Sequence, residues 1–314
     1  MRKLISLILL LFTAAALVNA QGFCQRHKSV DPIVLENVRN ITIKGDSING
    51  DDEPCITLKN CANIHITNCF LGNSTRVAIF LTDCADITID NSYWTNVSTG
   101  VYAVNSYAIS VTYCEGKNMK GPFPRGAFVQ FDNVSGPRCR VNYNKFENIL
   151  GQSHPEDAIS IYKSNGVAYD PIQVIGNQIR GGGPSNSGGG IMLGDKGGSY
   201  QVAKNNILVN PGQYGMAISG GTHNAILDNK IYSKAFLWTN VGIYIWAQGG
   251  VLCGMNEISG NQVNWRGSDG NENDSWDKGN CDPVIGWGAK NTNDFGANID
   301  ETILPKQLLS PCNK

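Results

Sequence analysis

A pair of hydrophobic residues separated by one position recurs along most of the chain. The pairs begin at Ile33, Ile56, Ile79, Val101, Phe128, Ile159, Ile191, Met216 and Ile243, at intervals of 22 to 32 residues. Stretches between the pairs, such as Ile64-His65-Ile66, alternate apolar and polar side chains with the period of a β-strand. No helical period of useful length follows the first 20 residues. The pattern therefore predicts a repetitive chain of short strands.

A second marker, an asparagine two residues before a hydrophobic residue, follows most pairs in phase. It begins at Asn68, Asn91, Asn144, Asn177, Asn205, Asn229 and Asn261. One unit cannot bury its own apolar side, but stacked units can, with each strand pairing with its copy about 4.8 Å away. An inward asparagine can then bond its neighbours up the stack. A leucine-rich repeat has similar length, but its leucine pattern and helical return segment are missing.

The repeat resembles that of the right-handed parallel β-helix superfamily, which includes pectate lyases and polygalacturonases. The resemblance covers residues 30–265. It implies an all-β, single-stranded right-handed parallel β-helix (a solenoid) of about nine coils. We expect an N-terminal cap over residues 21–32, the β-helix over 33–264 and a C-terminal capping segment over 265–314.

The first 20 residues have the pattern of a secretory signal peptide cleaved near Ala20. This predicts a secreted protein, extracellular or periplasmic, because the apolar run is too short to span a membrane. The net charge of −1 argues against a nucleic-acid partner. An exported chain can oxidise its ten cysteines, and Cys61 and Cys84 occupy the same slot in adjacent coils, so they are one candidate disulfide. We expect a monomer that binds polysaccharide.

The region from His154 to Gly198 is the predicted site, because two strands there are entered through long polar or glycine-rich loops. Alternation places a set of side chains on one outer face: Ser160, Tyr162, Met192, Tyr244 and Trp246, with Phe80, Tyr102 and Phe131 in matching slots. A row of aromatic side chains on this face can serve as a platform for sugar rings. The alternative is that loops cover these side chains, because a large apolar patch left exposed would need a binding partner.

Charged residues flank these strands. The repeat predicts a ladder of Asp132, Lys163 and Asp195 just past three consecutive strands, with the aspartates 9–10 Å apart, roughly two strand spacings. Such a pair could serve an inverting glycosidase, although an intervening lysine would oppose the acid role.

A second cluster precedes the strands. It contains Arg125, Glu156 and Asp157, with His154 nearby, and could perform acid–base chemistry or bind Ca²⁺ through Glu156 and Asp157. An exposed polar turn is the plain alternative.

Two family comparisons refine these expectations. Polygalacturonases carry Asp-Asp before one strand and Gly-His-Gly before the next; Glu156-Asp157 resembles the first, but Gly189 stands in place of the histidine. The stretch from Glu156 to Ser164 is similar to β-helix lyases of the chondroitinase and alginate type. That resemblance implies proton transfer by Lys, Arg or Tyr, often with Ca²⁺ neutralising a uronate carboxylate.

The sequence thus favours a polysaccharide lyase acting on a uronate-containing glycan. Tyr162 and one of the two lysines, Lys163 or Lys196, are expected to accept and donate the proton. Its expected substrate-binding residues are Arg125, Arg180, Tyr244 and Trp246. One alternative is a glycoside hydrolase using Asp157 with Asp195 or Glu156, and His154 is a further catalytic candidate. The other alternative is a glycan-binding or surface-adhesion β-helix without catalysis.

Overall fold

The chain winds into a solenoid with three long faces. The computed structural model describes residues 28–310, so the predicted signal peptide, most of the predicted N-terminal cap, Cys24 and Cys312 lie outside the described residues. Each coil contributes one strand to each of three parallel sheets, and each strand pairs with its copies in the neighbouring coils. Residues 28–310 contain no α-helix. The all-β parallel solenoid predicted from the repeat is confirmed.

Sheet 1 has eleven strands: β1 Lys28–Val30, β4 Asp46–Asp51, β7 Phe70–Ser74, β10 Tyr93–Thr95, β13 Glu115–Lys117, β16 Lys145–Glu147, β19 Gln178–Arg180, β22 Ile207–Val209, β26 Lys230–Ser233, β30 Gln262–Trp265 and β33 Asp294–Phe295. Sheet 2 has ten strands: β2 Ile33–Glu36, β5 Ile56–Lys59, β8 Ile79–Thr82, β11 Val101–Val104, β14 Val129–Asp132, β17 Ile159–Tyr162, β20 Ile191–Asp195, β23 Tyr214–Ile218, β27 Val241–Ile245 and β31 Ser275–Asp277. Sheet 3 has ten strands: β3 Arg39–Lys44, β6 Ala62–Thr67, β9 Ala85–Asp90, β12 Tyr107–Thr112, β15 Arg140–Asn142, β18 Ile172–Ile175, β21 Gln201–Lys204, β25 Ala225–Leu227, β29 Asn256–Ser259 and β32 Val284–Ile285. A two-stranded sheet joins β24 Gly221–Thr222 to β28 Cys253–Gly254, and the short 3₁₀ turns are Gln248–Gly250, Gly288–Lys290 and Glu301–Ile303.

A buried asparagine ladder connects the coils at the turn between sheets 3 and 1. Its members are Asn144, Asn177, Asn206, Asn229, Asn261 and Asn293. From Asn177 onward, each side-chain oxygen accepts from the preceding asparagine's backbone and side-chain N–H groups, as with Asn177 and Asn206 at 2.9 Å. The ladder was predicted with Asn205, but its neighbour Asn206 points inward and Asn205 is exposed with a φ of 55°.

One strand lies a residue later than the repeat suggested. Val129 pairs with Val101 and Ile159, so β14 begins at Val129 and not at Phe128. Phe131, which was predicted to face outward, is completely buried in the core. Gln130 takes the outward slot because side chains in a strand alternate between the two faces.

The three sheets continue past the last predicted coil. Strands β31, β32 and β33 add another rung to each sheet within the segment that was predicted to be a cap. The disulfide in this part of the chain joins Cys253 to Cys281, closing a separation of 28 residues. Cys61 and Cys84, the pair proposed from the repeat, are instead free buried thiols that contact backbone carbonyls.

Among residues 28–310, the structure contains no helix long and apolar enough to cross a membrane.

Candidate functional site

A groove runs across the outer face of sheet 2, over strands β11 to β31. It encloses about 840 Å³, within the range of ligand-binding clefts. These strands are seven neighbours in the sheet, so the groove is roughly 29 Å long at 4.8 Å per strand spacing. Loops that enter sheet 2 form its walls, including Phe123–Arg125 and Asn186–Ser187. A polymer can therefore lie along the solenoid axis and contact one rung after another.

Asp157 lies in the groove wall just before β17. Its Oδ1 accepts hydrogen bonds from the Tyr214 hydroxyl and from the backbone N–H of Gly189. Burial raises the pKa of this carboxyl to about 7, and the charges of Asp195 and Glu156 add to the effect. Both hydrogen bonds go to Oδ1, which leaves Oδ2 to carry a proton near neutral pH. This is the environment of a carboxyl suited to general acid catalysis.

Glycine at position 189 makes this arrangement possible. A Cβ there would lie 2.6 Å from ring and carbonyl atoms of Tyr214, closer than real Cβ contacts. The absence of a side chain lets Tyr214, one coil further along, reach back to Asp157. The position where polygalacturonases would carry histidine therefore serves here to position a carboxyl group through its backbone.

The ladder past the strands contains a tyrosine where a lysine was predicted. Tyr162 pairs with Asp132 on one side and with Asp195 on the other. The register with β20 shifts between Ser160 and Tyr162, which moves Lys163 one residue beyond the ladder. Burial raises the pKa of Asp195, while Lys196 and Lys163 lower it. Two carboxylates thus flank a phenol on the groove floor.

One end of the groove is aromatic and uncharged. Trp246 and Trp276 are 39% and 42% exposed and pack edge to face, with ring centroids 5.9 Å apart. Tyr244 lines the same end but is only 9% exposed, because it packs in a cluster with Met192 and Tyr214. Both interpretations of the aromatic face therefore hold in part: the tryptophans are accessible, and Tyr244 is largely covered.

The opposite end holds Arg125. Its guanidinium lies 3.7 Å from the centroid of the Tyr102 ring, and its Nη1 donates to Oε1 of Gln130 at 2.6 Å. The Tyr102 hydroxyl in turn donates to Asp132 at 3.2 Å. Arg125, Glu156 and Asp157 line one cavity, as the coil spacing suggested.

Four predicted site residues do not line the groove. Lys163 and Lys196 are exposed in left-handed turns, with φ of 50° and 56°, just past their strands. His154 is exposed and bonds through its backbone N–H to Met119. Arg180 lies in β19 of sheet 1, where it binds Glu147 and the carbonyls of Pro305 and Lys306. The structure assigns Arg180 to anchoring the C-terminal segment and not to the groove.

The possible Ca²⁺ ligands Glu156 and Asp157 both line the groove. Glu156 accepts from Ser187 at 2.8 Å, whereas Asp157 accepts from Gly189 and Tyr214, so the two carboxylates have different partners. Calcium requires six to eight oxygen ligands. The described part of the chain contains no group of three or more acidic, histidine or cysteine side chains arranged for a metal.

The sequence interpretation missed residues that shape the site: Gln130 and Trp276 line the groove, and the buried Tyr214 bonds Asp157. Gln130 and Tyr214 carry no motif, and Trp276 lies in a coil beyond the last recognised repeat. A repeat search that tolerated a longer insertion after Ile243 would have reached β31 and its tryptophan.

Comparison with known proteins agrees with this architecture. The model of the "right handed beta helix region" matches residues 31–184. This match covers 154 of the 314 residues and agrees with the right-handed parallel β-helix fold of the chain, and no narrower family is identified. No curated protein matches the sequence.

Solved structures with a similar fold include an alginate lyase from Paenibacillus sp. strain FPU-7, at 14% identity and a TM-score of 0.50 over 85% of this chain and 96% of that one. The tailspike protein of E. coli bacteriophage HK620, in complex with a pentasaccharide, matches at 11% identity and a TM-score of 0.53 over 91% of this chain. The chain spans 62% of that tailspike. At these identities the likeness concerns the fold.

Proposed function

We propose that the protein is a glycoside hydrolase that cleaves a polysaccharide lying in the sheet 2 groove. The observation that carries the proposal is Asp157, a groove carboxyl with a pKa of about 7 beside a second carboxylate, Asp195. Glycosidases use such a pair, one carboxyl protonating the leaving oxygen and the other acting on water or on the sugar. Two carboxyls whose surroundings give them different proton affinities divide these roles.

Asp157 acts as the acid in this scheme. Its Oδ2 gives a proton to the glycosidic oxygen as the bond to the anomeric carbon breaks. Asp195 acts as the base, taking a proton from the water that attacks that carbon. Trp246 and Trp276 bind sugar rings on one side of the cleavage point, and Arg125 with Tyr102 bounds the other end of the groove.

Hydrolysis accounts for the groove better than elimination by lysine. The elimination prediction requires Lys163 or Lys196 next to the substrate, and neither side chain lines the cavity. Tyr162 does line it, so elimination with this tyrosine as base is the second candidate function.

Product chemistry separates the candidates. A panel of polysaccharides is incubated with the protein, and reducing ends are measured beside the ultraviolet absorbance of an unsaturated uronate. Reducing ends without absorbance are expected. A parallel rise of both signals means elimination and contradicts the hydrolase, whereas binding with neither signal means a glycan-binding protein without catalysis.

The assignment of residues has its own test. Asp157→Asn and Asp195→Asn should each reduce turnover at least about 100-fold, in the range that general acid or base catalysis contributes. Glu36→Gln removes an exposed carboxylate from the second strand, outside the groove, and serves as the control. Full activity in Asp157→Asn would remove Asp157 from the reaction.

A further inference from the structure

The charges lining the groove restrict the class of glycan that it can bind. Four carboxyl groups face the cavity, from Asp132, Glu156, Asp157 and Asp195, against the single cationic side chain of Arg125. Apart from Asp157, the lining still contains three carboxyl groups and one guanidinium group. A half-buried site strengthens interactions between charges, because water screens them less.

The single cation is already engaged within the protein. Arg125 stacks on Tyr102 at 3.7 Å and donates through Nη1 to Gln130 at 2.6 Å and to the Pro124 carbonyl at 3.4 Å. It also lies at one end of the groove, on the loop before β14, so it cannot neutralise an anionic group on every sugar of a bound chain.

Two lysines lie at the margin of the site: Lys163 Nζ is 5.1 Å from the centroid of the Tyr162 ring, and Lys163 and Lys196 both lower the pKa of Asp195. Lys163 and Lys196 lie past the ends of β17 and β20, outside the cavity lining. Among the described residues, no group of three or more acidic, histidine or cysteine side chains is arranged to hold a bridging divalent cation. A polyuronate would therefore place repeated carboxylates against the four carboxyl groups of the lining, where one guanidinium, at one end of the groove, faces the cavity.

The opposite end of the groove suits uncharged sugars. Its lining combines the aromatic side chains of Tyr244, Trp246 and Trp276 with the amides of Gln248 and Asn240. Indole faces pack on the apolar faces of sugar rings, and amides can both donate to and accept from hydroxyls.

We infer that the substrate of this groove is a glycan without carboxylates over the stretch that contacts β14 to β31, and not a polyuronate. The inference rests on the proposed hydrolase function and narrows it. It also contradicts the substrate class expected from the sequence.

Carboxyl reduction provides matched substrates for the test. Pectate, alginate and glucuronan are each compared with their carboxyl-reduced forms, which keep the linkages and lose the charge, and neutral glucans, mannans and galactans complete the panel. Binding is measured by affinity electrophoresis with Asp157→Asn, and reducing ends with the wild-type protein. At least one uncharged polymer should bind tenfold or more tightly than any polyuronate, and only uncharged polymers should yield reducing ends.

Added salt and a charge variant test whether electrostatic repulsion causes the preference for uncharged glycans. Added NaCl should strengthen any residual binding of a polyuronate, because it screens repulsion. Glu156→Gln keeps an oxygen for Ser187 and should reduce the preference for the uncharged form at least threefold, whereas the control Glu36→Gln should leave it unchanged.

The outcomes separate the two proposals. Hydrolysis of a native polyuronate in preference to its reduced form, or polyuronate binding that weakens with salt, overturns the inference and leaves the hydrolase standing. Elimination products, or no cleavage of any polymer, overturn the proposed function and the inference with it.

Discussion

Replacing Asp157 by asparagine should reduce turnover at least about 100-fold and, above neutral pH, make the fold more stable. The asparagine side-chain oxygen can still accept from Tyr214 and Gly189, so the geometry is retained. What disappears is a carboxyl whose pKa the folded protein raises from 3.8 to about 7. The folded state therefore holds a proton that the unfolded chain releases as the pH rises from 4 to 7.

The sign and size of the effect follow from this difference. The wild type loses stability relative to the variant as the pH rises through this window, and the difference then stays constant. Each unit of pKa shift corresponds to about 1.4 kcal/mol. A shift from 3.8 to about 7 therefore gives an upper value of about 4 kcal/mol at pH 8 and almost nothing at pH 4.

Thermal denaturation of both proteins at half-unit pH intervals measures the effect. The variant should melt several degrees higher at pH 8, with convergence toward pH 4. Asp300→Asn is the control of opposite sign. Hydrogen bonds from Thr302 lower the pKa of Asp300, so its stabilisation is present at neutral pH and is lost as the pH falls. A stability difference for Asp157→Asn that is the same at every pH would refute the raised pKa.

Three further changes test the site and the stack. Tyr214→Phe removes a hydrogen bond that lowers the pKa of Asp157, so this pKa should rise. The alkaline limb of the pH–rate profile should then move up by about one pH unit. A limb that does not move contradicts the hydrogen bond between Tyr214 and Asp157. Replacing Cys253 and Cys281 by serine opens a loop of 28 residues and should reduce the unfolding free energy by about 3–4 kcal/mol; denaturation of the reduced wild type should give the same value. Asn206→Ala leaves the N–H groups of Asn177 without their acceptor and should lower stability by about 2–4 kcal/mol, whereas exposed Asn205→Gly should change it by less than about 1 kcal/mol.

The fold could be predicted because every coil must bury side chains at the same inward positions. Inward positions must be apolar or must complete a hydrogen-bond ladder, and this leaves a periodic trace in the sequence. The exact register could not be read where that trace was ambiguous. Phe128 and Val129 are both apolar, and residues 205 and 206 are both asparagine, so either member of each pair could face inward. A shift of one residue reverses the direction of every side chain in a strand.

The site was only partly predictable, for a related reason. Arg125, Glu156 and Asp157 were brought together by coil spacing alone, because all three precede strands of one sheet. Lys163 was placed incorrectly because β14 begins at Val129, which sets Tyr162 opposite Asp132, and because the shift of register with β20 after Ser160 has no signature in the sequence. Tyr214 acts on Asp157 across 57 positions of sequence, and only the folded stack shows that its hydroxyl reaches back to that carboxyl.

The long coils and the perturbed carboxyl belong to one arrangement. The loop before β20 carries Ser187, which binds Glu156, and Gly189, which binds Asp157. The same loop is held by Gln213, whose side chain donates to the Asn186 carbonyl. By covering one side of Asp157, these residues remove water from the carboxyl, and this removal is the largest cause of its raised pKa. A coil of the early, shorter type would leave the same aspartate in solvent, ionised at neutral pH and unable to act as an acid. In the proposed mechanism the insertions therefore take part in the chemistry, and the regular stack beneath them supplies the stability that such an unfavourable group requires.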